Sequence, residues 1–154
     1  MKGITLRKIT AADIPSCISI LRDLPQWFGI EAAIIEIEKN LATLDGFVAE
    51  FEGDIVGFVG LKRYGRFSIE LDIMAISPQL RRRGIGTLLL QHVETYATIE
   101  DTKILHLKTL APSDPDPNYA ETRAFWEARG FIPMDADERW GPDNPCQIMA
   151  KPLL

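Results

Sequence analysis

The segment from Phe67 to Ala97 reads FSIELDIMAISPQLRRRGIGTLLLQHVETYA: an alternating stretch, a glycine-bearing loop, then apolar residues at helical spacing. Alternation predicts a strand with Glu70, Asp72, Met74 and Ile76 on one face and Leu71, Ile73 and Ala75 on the other. Ser77-Pro78 closes it, because proline has no N–H for a ladder. Ile85, Leu88, Leu89, Val93, Tyr96 and Ala97 then mark one face of a helix. Upstream, Gly3 to Lys8 alternates as a first strand. Ile14, Cys17, Ile18 and Leu21 form a helical stripe, introduced by Thr10 with Asp13 three residues on, a variant of the capping box, and tolerating Pro15 in its first turn. A second helix spans Glu31 to Leu44, with Ile34, Ile37, Leu41 and Leu44 inward and Glu31, Glu36 and Glu38 on a solvated face. Gly46–Glu50 and Ile55–Leu61 read as strands joined at Glu52-Gly53-Asp54. Tyr64-Gly65-Arg66 turns into the central strand, so strands two to four form an antiparallel meander.

Downstream, Ile104 to Leu110 alternates again, with His106 and Lys108 on one face and Leu105, Leu107 and Thr109 on the other. Three prolines within 111–118 make a rigid connector. Asn118, with Glu121 three residues later, is the expected cap of a helix running to Arg129 and stopped by Gly130. Phe131 to Met134 and Cys146 to Ala150 are short strands, separated by an acidic run (135–139) and a Gly/Pro loop (140–145).

Composition narrows the picture. The chain has 154 residues, 46% apolar and 25% charged, as expected of one globular domain. No run of about eighteen apolar residues is present, so no membrane span is expected. The first ten residues lack the apolar core of a signal peptide, and a cytoplasmic location follows as the expectation. Cys17 and Cys146 are far apart and make no C-x-x-C, which suits a reducing compartment. His92 and His106 are isolated, so no metal site is expected, and His106 reads as a structural residue rather than a catalyst. A net charge of −5 disfavours nucleic acid.

The loop Gln79–Gly86 carries the chemistry. Gly84 and Gly86 remove Cβ atoms where the backbone turns and approaches a ligand. The first amides of the following helix lack helical acceptors, and the helix dipole is positive there, which favours phosphate. Arg81, Arg82 and Arg83 add donors. Alone, a G-x-G is also a simple turn beside a solvated basic run. A Rossmann reading fails: the third glycine is missing, and the preceding strand looks antiparallel.

Arg81-x-x-Gly84-x-Gly86, set between Met74-Ala75-Ile76 and an amphipathic helix, closely resembles the acetyl-CoA signature of the GNAT N-acetyltransferase superfamily. Ala124-Phe125-Trp126-Glu127-Ala128-Arg129-Gly130-Phe131, about forty residues on, resembles the family's F-Y-x-x-x-G-F segment. The resemblance implies one α/β domain over residues 1–154. Its sheet would be mixed and mainly antiparallel, flanked by helices, and splayed between the fourth and fifth strands (68–76 and 104–110). It implies that acetyl-CoA is a co-substrate held by Arg81, Arg82, Arg83, Gly84, Ile85, Gly86 and Thr87. It further implies that the backbone of Met74, Ala75 and Ile76 lies along the pantetheine and supplies the oxyanion donor, and that Phe125 and Trp126 also bind the coenzyme.

Glu70 lies where some members of the family carry a catalytic glutamate, and Asp72 shares its face; either could instead orient substrate or sit in an ion pair. Trp126 stands where many members have a tyrosine thought to protonate the departing thiolate, and an indole N–H is a very poor acid. Tyr119, about two turns earlier, is the remaining candidate acid. Trp27 and Phe28 either plug the first two helices together or wall the acceptor site. The leading expectation is transfer to a primary amine of a small molecule in a ternary complex. The alternatives are a peptide or protein acceptor, or an acetyl-CoA-binding module without turnover. The resemblance also allows a homodimer, which no residue in the sequence specifies.

Overall fold

The computed structural model describes residues 2–154. In chain order the elements are β1 (Ile4–Lys8), α1 (Ile14–Arg22), α2 (Glu31–Leu41), β2 (Asp45–Phe51), β3 (Asp54–Tyr64) and β4 (Ser68–Ile76). There follow α3 (Ile85–Ile99), β5 (Ile104–Leu110), α4 (Pro117–Ala128), β6 (Ile132–Asp137) and β7 (Cys146–Pro152). The strands form one seven-stranded sheet in the order β1-β2-β3-β4-β5-β7-β6. β1–β2, β2–β3, β5–β7 and β6–β7 are antiparallel, and β4–β5 is parallel. The parallel ladder covers only Ser68↔Ile104, Ile69↔Leu105 and Glu70↔His106, although β4 runs on to Ile76 and β5 to Leu110. The expected mixed sheet, with its fourth and fifth strands parting, is therefore present.

The chain divides into two compact units, one up to Lys62 plus Leu71–Glu100, the other Arg63–Glu70 plus Asp101–Leu154. In the first unit, alternation along the strands assigns two faces. Val48, Phe58, Ile73 and Ala75 are buried in one cluster with Cys17, Ile18 and Leu21 of α1 and with Ile34 and Leu41 of α2. Phe47, one residue out of phase with Val48, meets the rings of His92 and Tyr96 on α3 edge-on, at 4.5 and 5.5 Å between centroids. Helices thus cover both faces, and β2 and β3 bury both sets of side chains along their central residues. His92 is spent on this packing. Both cysteines are buried free thiols, and burial pushes Cys17 up to about 12.

A charged cluster closes the start of the chain. Arg7 on β1 donates through two nitrogens to the two carboxylate oxygens of Asp13, each at 2.8 Å, and through Nε to Glu50 on β2 at 2.7 Å. The backbone N–H of Thr10 donates to Asp13 at 2.7 Å, completing the capping box of a one-turn 3-10 helix, Ala11–Asp13, that leads into α1. Arg7 holds the Asp13 carboxyl down at about 2. A carboxylate depressed in the native state adds stability above its unfolded pKa and loses it as pH falls toward the native one. Urea midpoints are therefore expected to fall between pH 4 and pH 2, with Asp13 accounting for about 2 kcal/mol of the loss. Arg7→Met should remove that part of the acid sensitivity and lower stability at pH 7.

The second unit is built on β5, β7 and β6. Leu105, Leu107 and Thr109 are buried on one face of β5, while His106 and Lys108 are half-buried on the other. Trp126 of α4 is buried, edge-on to Phe125 and Phe131 at 4.9 and 5.2 Å. Two local expectations need correction. Asp116, not Asn118, caps α4: its carboxylate accepts from the Asn118 N–H, and Pro117 fills the first helical position, where a missing N–H costs nothing. β6 also continues past Met134 to Asp137 despite its acidic composition, because β7 supplies its ladder.

Candidate active site

In the first unit, β4 leads into the loop before α3. Ser77 donates its N–H to Val56 O at 2.8 Å, and Pro78–Leu80 make a single 3-10 turn. Arg81 is extended, Arg82 has φ +63°, and Gly84, the N-cap of α3, has φ +84°. No side chain caps α3, so its first amides keep the helix dipole's positive end available to an anion. A Cβ built at Gly84 would meet nothing within 4 Å. The glycine is there for its backbone angle, and the space beside it is open. Arg82 and Arg83 are exposed and Arg81 is half-buried. Ile85 is buried and anchors the start of α3. Gly57 of β3 permits this, since a Cβ there would lie 2.8 Å from Ile76 Cδ1 and 3.3 Å from Ile85 Cγ2. Sequence reading passed over Gly57, whose only signal was a glycine inside a strand pattern.

Trp27 and Phe28 are half-buried against the α1–α2 core. Their amides donate to Leu24 O at 3.1 and 3.0 Å. Gly29 is held where a Cβ would come within 2.9 Å of Pro25 O. The Arg81 guanidinium lies 4.4 Å from the Trp27 ring centroid, a cation–π contact joining the phosphate-type loop to the aromatic one. The plug is real, and it also places Trp27 beside Arg81.

In the second unit, Glu70 is 3% exposed. Its Oε2 accepts a hydrogen bond from Lys108 Nζ at 2.6 Å and lies 3.8 Å from His106 Nδ1. The Tyr64 ring is tilted against His106 at 5.4 Å, and Lys108 Nζ lies 5.8 Å from its centroid. Burial pulls the His106 pKa down, against a smaller upward pull from Glu70, so it is neutral at pH 7. Burial also pulls on Lys108, but the hydrogen bond and charge of Glu70 outweigh it and the net shift is up. Asp72, one pleat further along β4, is exposed. Met74, Ala75 and Ile76 lie beyond the last β4–β5 pair.

On α4, Tyr119 is half-buried, and burial with the charge of Asp116 raises its pKa, which keeps its hydroxyl protonated. Phe125 stacks under Arg129 at 3.7 Å. Arg123, which the sequence did not single out, is buried and donates to Leu110 O at 2.6 Å, tying α4 to the end of β5. Among the described residues no group of three or more His, Cys, Asp or Glu could hold a metal ion, and no helix is long and apolar enough to cross a membrane.

The acetyltransferase (GNAT) domain family matches residues 43–133, from β2 to the start of β6. The chain is also 30% identical to the peptidyl-lysine N-acetyltransferase YiaC of Escherichia coli K12, over 76% of this chain and 70% of that protein. The chain belongs to the GNAT acetyltransferase family. It is an acyl-CoA-dependent acetyltransferase.

Solved structures agree on the fold. Ard1 from Thermoplasma volcanium superposes with a TM-score of 0.79 at 20% identity, covering 99% of each chain. The ribosomal-protein-S18-alanine N-acetyltransferase of Escherichia coli gives 0.78 at 20% identity, over 97% of this chain and 94% of that one. An aminoglycoside 6'-N-acetyltransferase complexed with coenzyme A gives 0.76 at 18% identity, over 97% of each. The GNAT match spans residues of both compact units, and the loop at Arg81–Thr87 lies inside it.

Proposed function

We propose that residues 1–154 act as one GNAT domain that moves an acetyl group from acetyl-CoA to a primary amine carried by a small molecule. The observation that carries the coenzyme half is the Gly84 turn: a left-handed glycine beside open space, at an uncapped helix N-terminus, with Arg81 to Arg83 around it. Arg81, Arg82, Arg83, Gly84, Ile85, Gly86 and Thr87 would take the phosphates. The neutral amine attacks the thioester carbonyl, a C–N bond forms and the C–S bond breaks. A backbone amide among Met74, Ala75 and Ile76 stabilises the oxyanion. Glu70 takes the amine's proton, directly or through one water. Asp72, exposed on the same face, attracts the cationic acceptor.

Tyr119, kept protonated by burial, donates a proton to the thiolate. Trp126, closed into its aromatic cluster, has no such part and supports the segment that carries Phe125. The wall for a compact acceptor is Trp27 with Phe28, held in place by Gly29, Leu24 O and Arg81.

A second reading, a lysine side chain in a peptide, is favoured by the activity named for the YiaC relative. Both acceptors present the same alkylammonium group, so the test separates the carriers. CoA thiol release from acetyl-CoA is measured with small amines (polyamines, amino acids, amino sugars) and with Nα-blocked lysine peptides. Release with small amines is the expected result. Release with the peptides alone overturns the small-molecule acceptor in favour of the lysyl one.

A further inference from the structure

The pair Glu70–Lys108 has no counterpart in the signature that identified the family. It is set by register: the parallel ladder places His106 opposite Glu70, and Lys108, two residues on and on the same face of β5, reaches Oε2 at 2.6 Å. The Glu70 side chain is 4% exposed and that of Lys108 is 25% exposed. A carboxylate so enclosed needs a hydrogen-bonded partner of opposite charge. Neutral His106 cannot supply the charge, and Lys108 can.

We infer that Lys108 is a positioning residue for acetyl transfer: its ammonium clamps Oε2 of Glu70 and leaves Oε1 as the oxygen that accepts the amine's proton. This rests on the reading of Glu70 as the base. A carboxylate with both oxygens unanchored would lose its orientation. Lys108 touches neither reacting atom in this scheme and acts through Glu70. Other charged or titratable groups around the pair are Tyr64 at the end of β3, His106 on β5, Asp137 at the end of β6, Arg139 just after it, and Cys146 on β7. Burial raises the Cys146 thiol, so it stays neutral. Asp137 and Arg139 pair with each other at 2.6 Å and nearly cancel. Lys108 is therefore the cation that controls Glu70.

The test is a carbon-13 carboxyl NMR titration of Glu70 in the full chain, with steady-state kinetics beside it. Removing an opposite charge at hydrogen-bond distance should raise the Glu70 midpoint in Lys108→Met. In the same variant kcat should fall about tenfold or more at pH 7, because the carboxylate is no longer held in orientation toward the amine, with KM for acetyl-CoA unchanged. Lys108→Arg should restore the midpoint and most of kcat, which a space-filling role would not require. A Glu70 midpoint that stays put in a folded Lys108→Met overturns the inference, as does a retained kcat.

Should Lys108→Met not fold, the wild type decides. The Lys108 ζ-nitrogen signal must respond at the Glu70 midpoint, and a signal that ignores it overturns the clamp. Glu70→Gln separates the two layers. Full turnover in Glu70→Gln removes the base reading and this inference with it. Lost turnover there, with Lys108→Met unaffected, removes the inference alone.

Discussion

Glu70→Gln is expected to lower kcat by about 10²–10⁴-fold, the usual contribution of a positioned general base, while acetyl-CoA affinity stays within about twofold of the original because the coenzyme loop is untouched. The glutamine amide keeps the size of the carboxylate and can still accept from Lys108, so the fold should survive. The cost is the lost charge in a buried pair, on the order of 1–3 kcal/mol, since a hydrogen bond to Lys108 is retained. Two outcomes are separated by Asp72→Asn. Asp72 is exposed and one pleat away from Glu70, so its removal should weaken the acceptor's KM with little change in kcat. Should Asp72→Asn prove the variant that loses kcat, the two carboxylates have exchanged roles.

What could be read in the chain was what depends on neighbours in sequence. The strand alternation at 69–76 requires only that one face be buried, and Ile69, Leu71, Ile73 and Ala75 are. The loop at 81–87 was legible because a left-handed glycine and a helix N-terminus are local features. Lys108 was legible as facing the same way as His106, but not as the partner of Glu70. That contact spans thirty-eight residues of sequence, and its register follows from how two strands pair in parallel. Arg123 was missed for a similar reason: an arginine in a helix defaults to solvent, and it is the Leu110 carbonyl at the end of β5 that gives it an acceptor. The α4 cap shows a signal present and misread. Asp116-Pro117-Asn118 offers two capping side chains, and the proline at the first helical position selects the residue before it. The Phe125-Trp126 segment lies inside the GNAT match. Motif spacing cannot say which aromatic turns inward, and Trp126 does so because Phe131, after the Gly130 turn, returns to meet it.

Gly84→Val is expected to weaken acetyl-CoA binding by roughly 5- to 150-fold, toward the upper end for a β-branched residue, since the strained left-handed conformation costs about 1–3 kcal/mol for a side-chain-bearing residue. The space around the position is empty, and a Cβ there would find nothing within 4 Å. The protein itself therefore has no steric objection. Either the loop keeps its shape under strain or it relaxes to negative φ and turns the first α3 amides away from the phosphates. The relaxed route costs affinity and leaves the melting temperature nearly unchanged, whereas the strained one lowers the melting temperature. Gly86→Ala gives the complementary answer. Gly86 lies inside α3, where alanine is favoured over glycine by about 1 kcal/mol, so the helix should be stabilised. If binding nevertheless falls, the coenzyme approaches the Gly86 backbone closely enough to exclude a methyl. If affinity holds in Gly86→Ala and fails in Gly84→Val, the turn rather than the close approach is what the G-x-G supplies. Equilibrium titration of acetyl-CoA against the two variants, with thermal melts in parallel, separates these cases. Unchanged affinity in both, with the Gly84→Val melting temperature also unchanged, would remove the phosphate-binding role from residues 81–87.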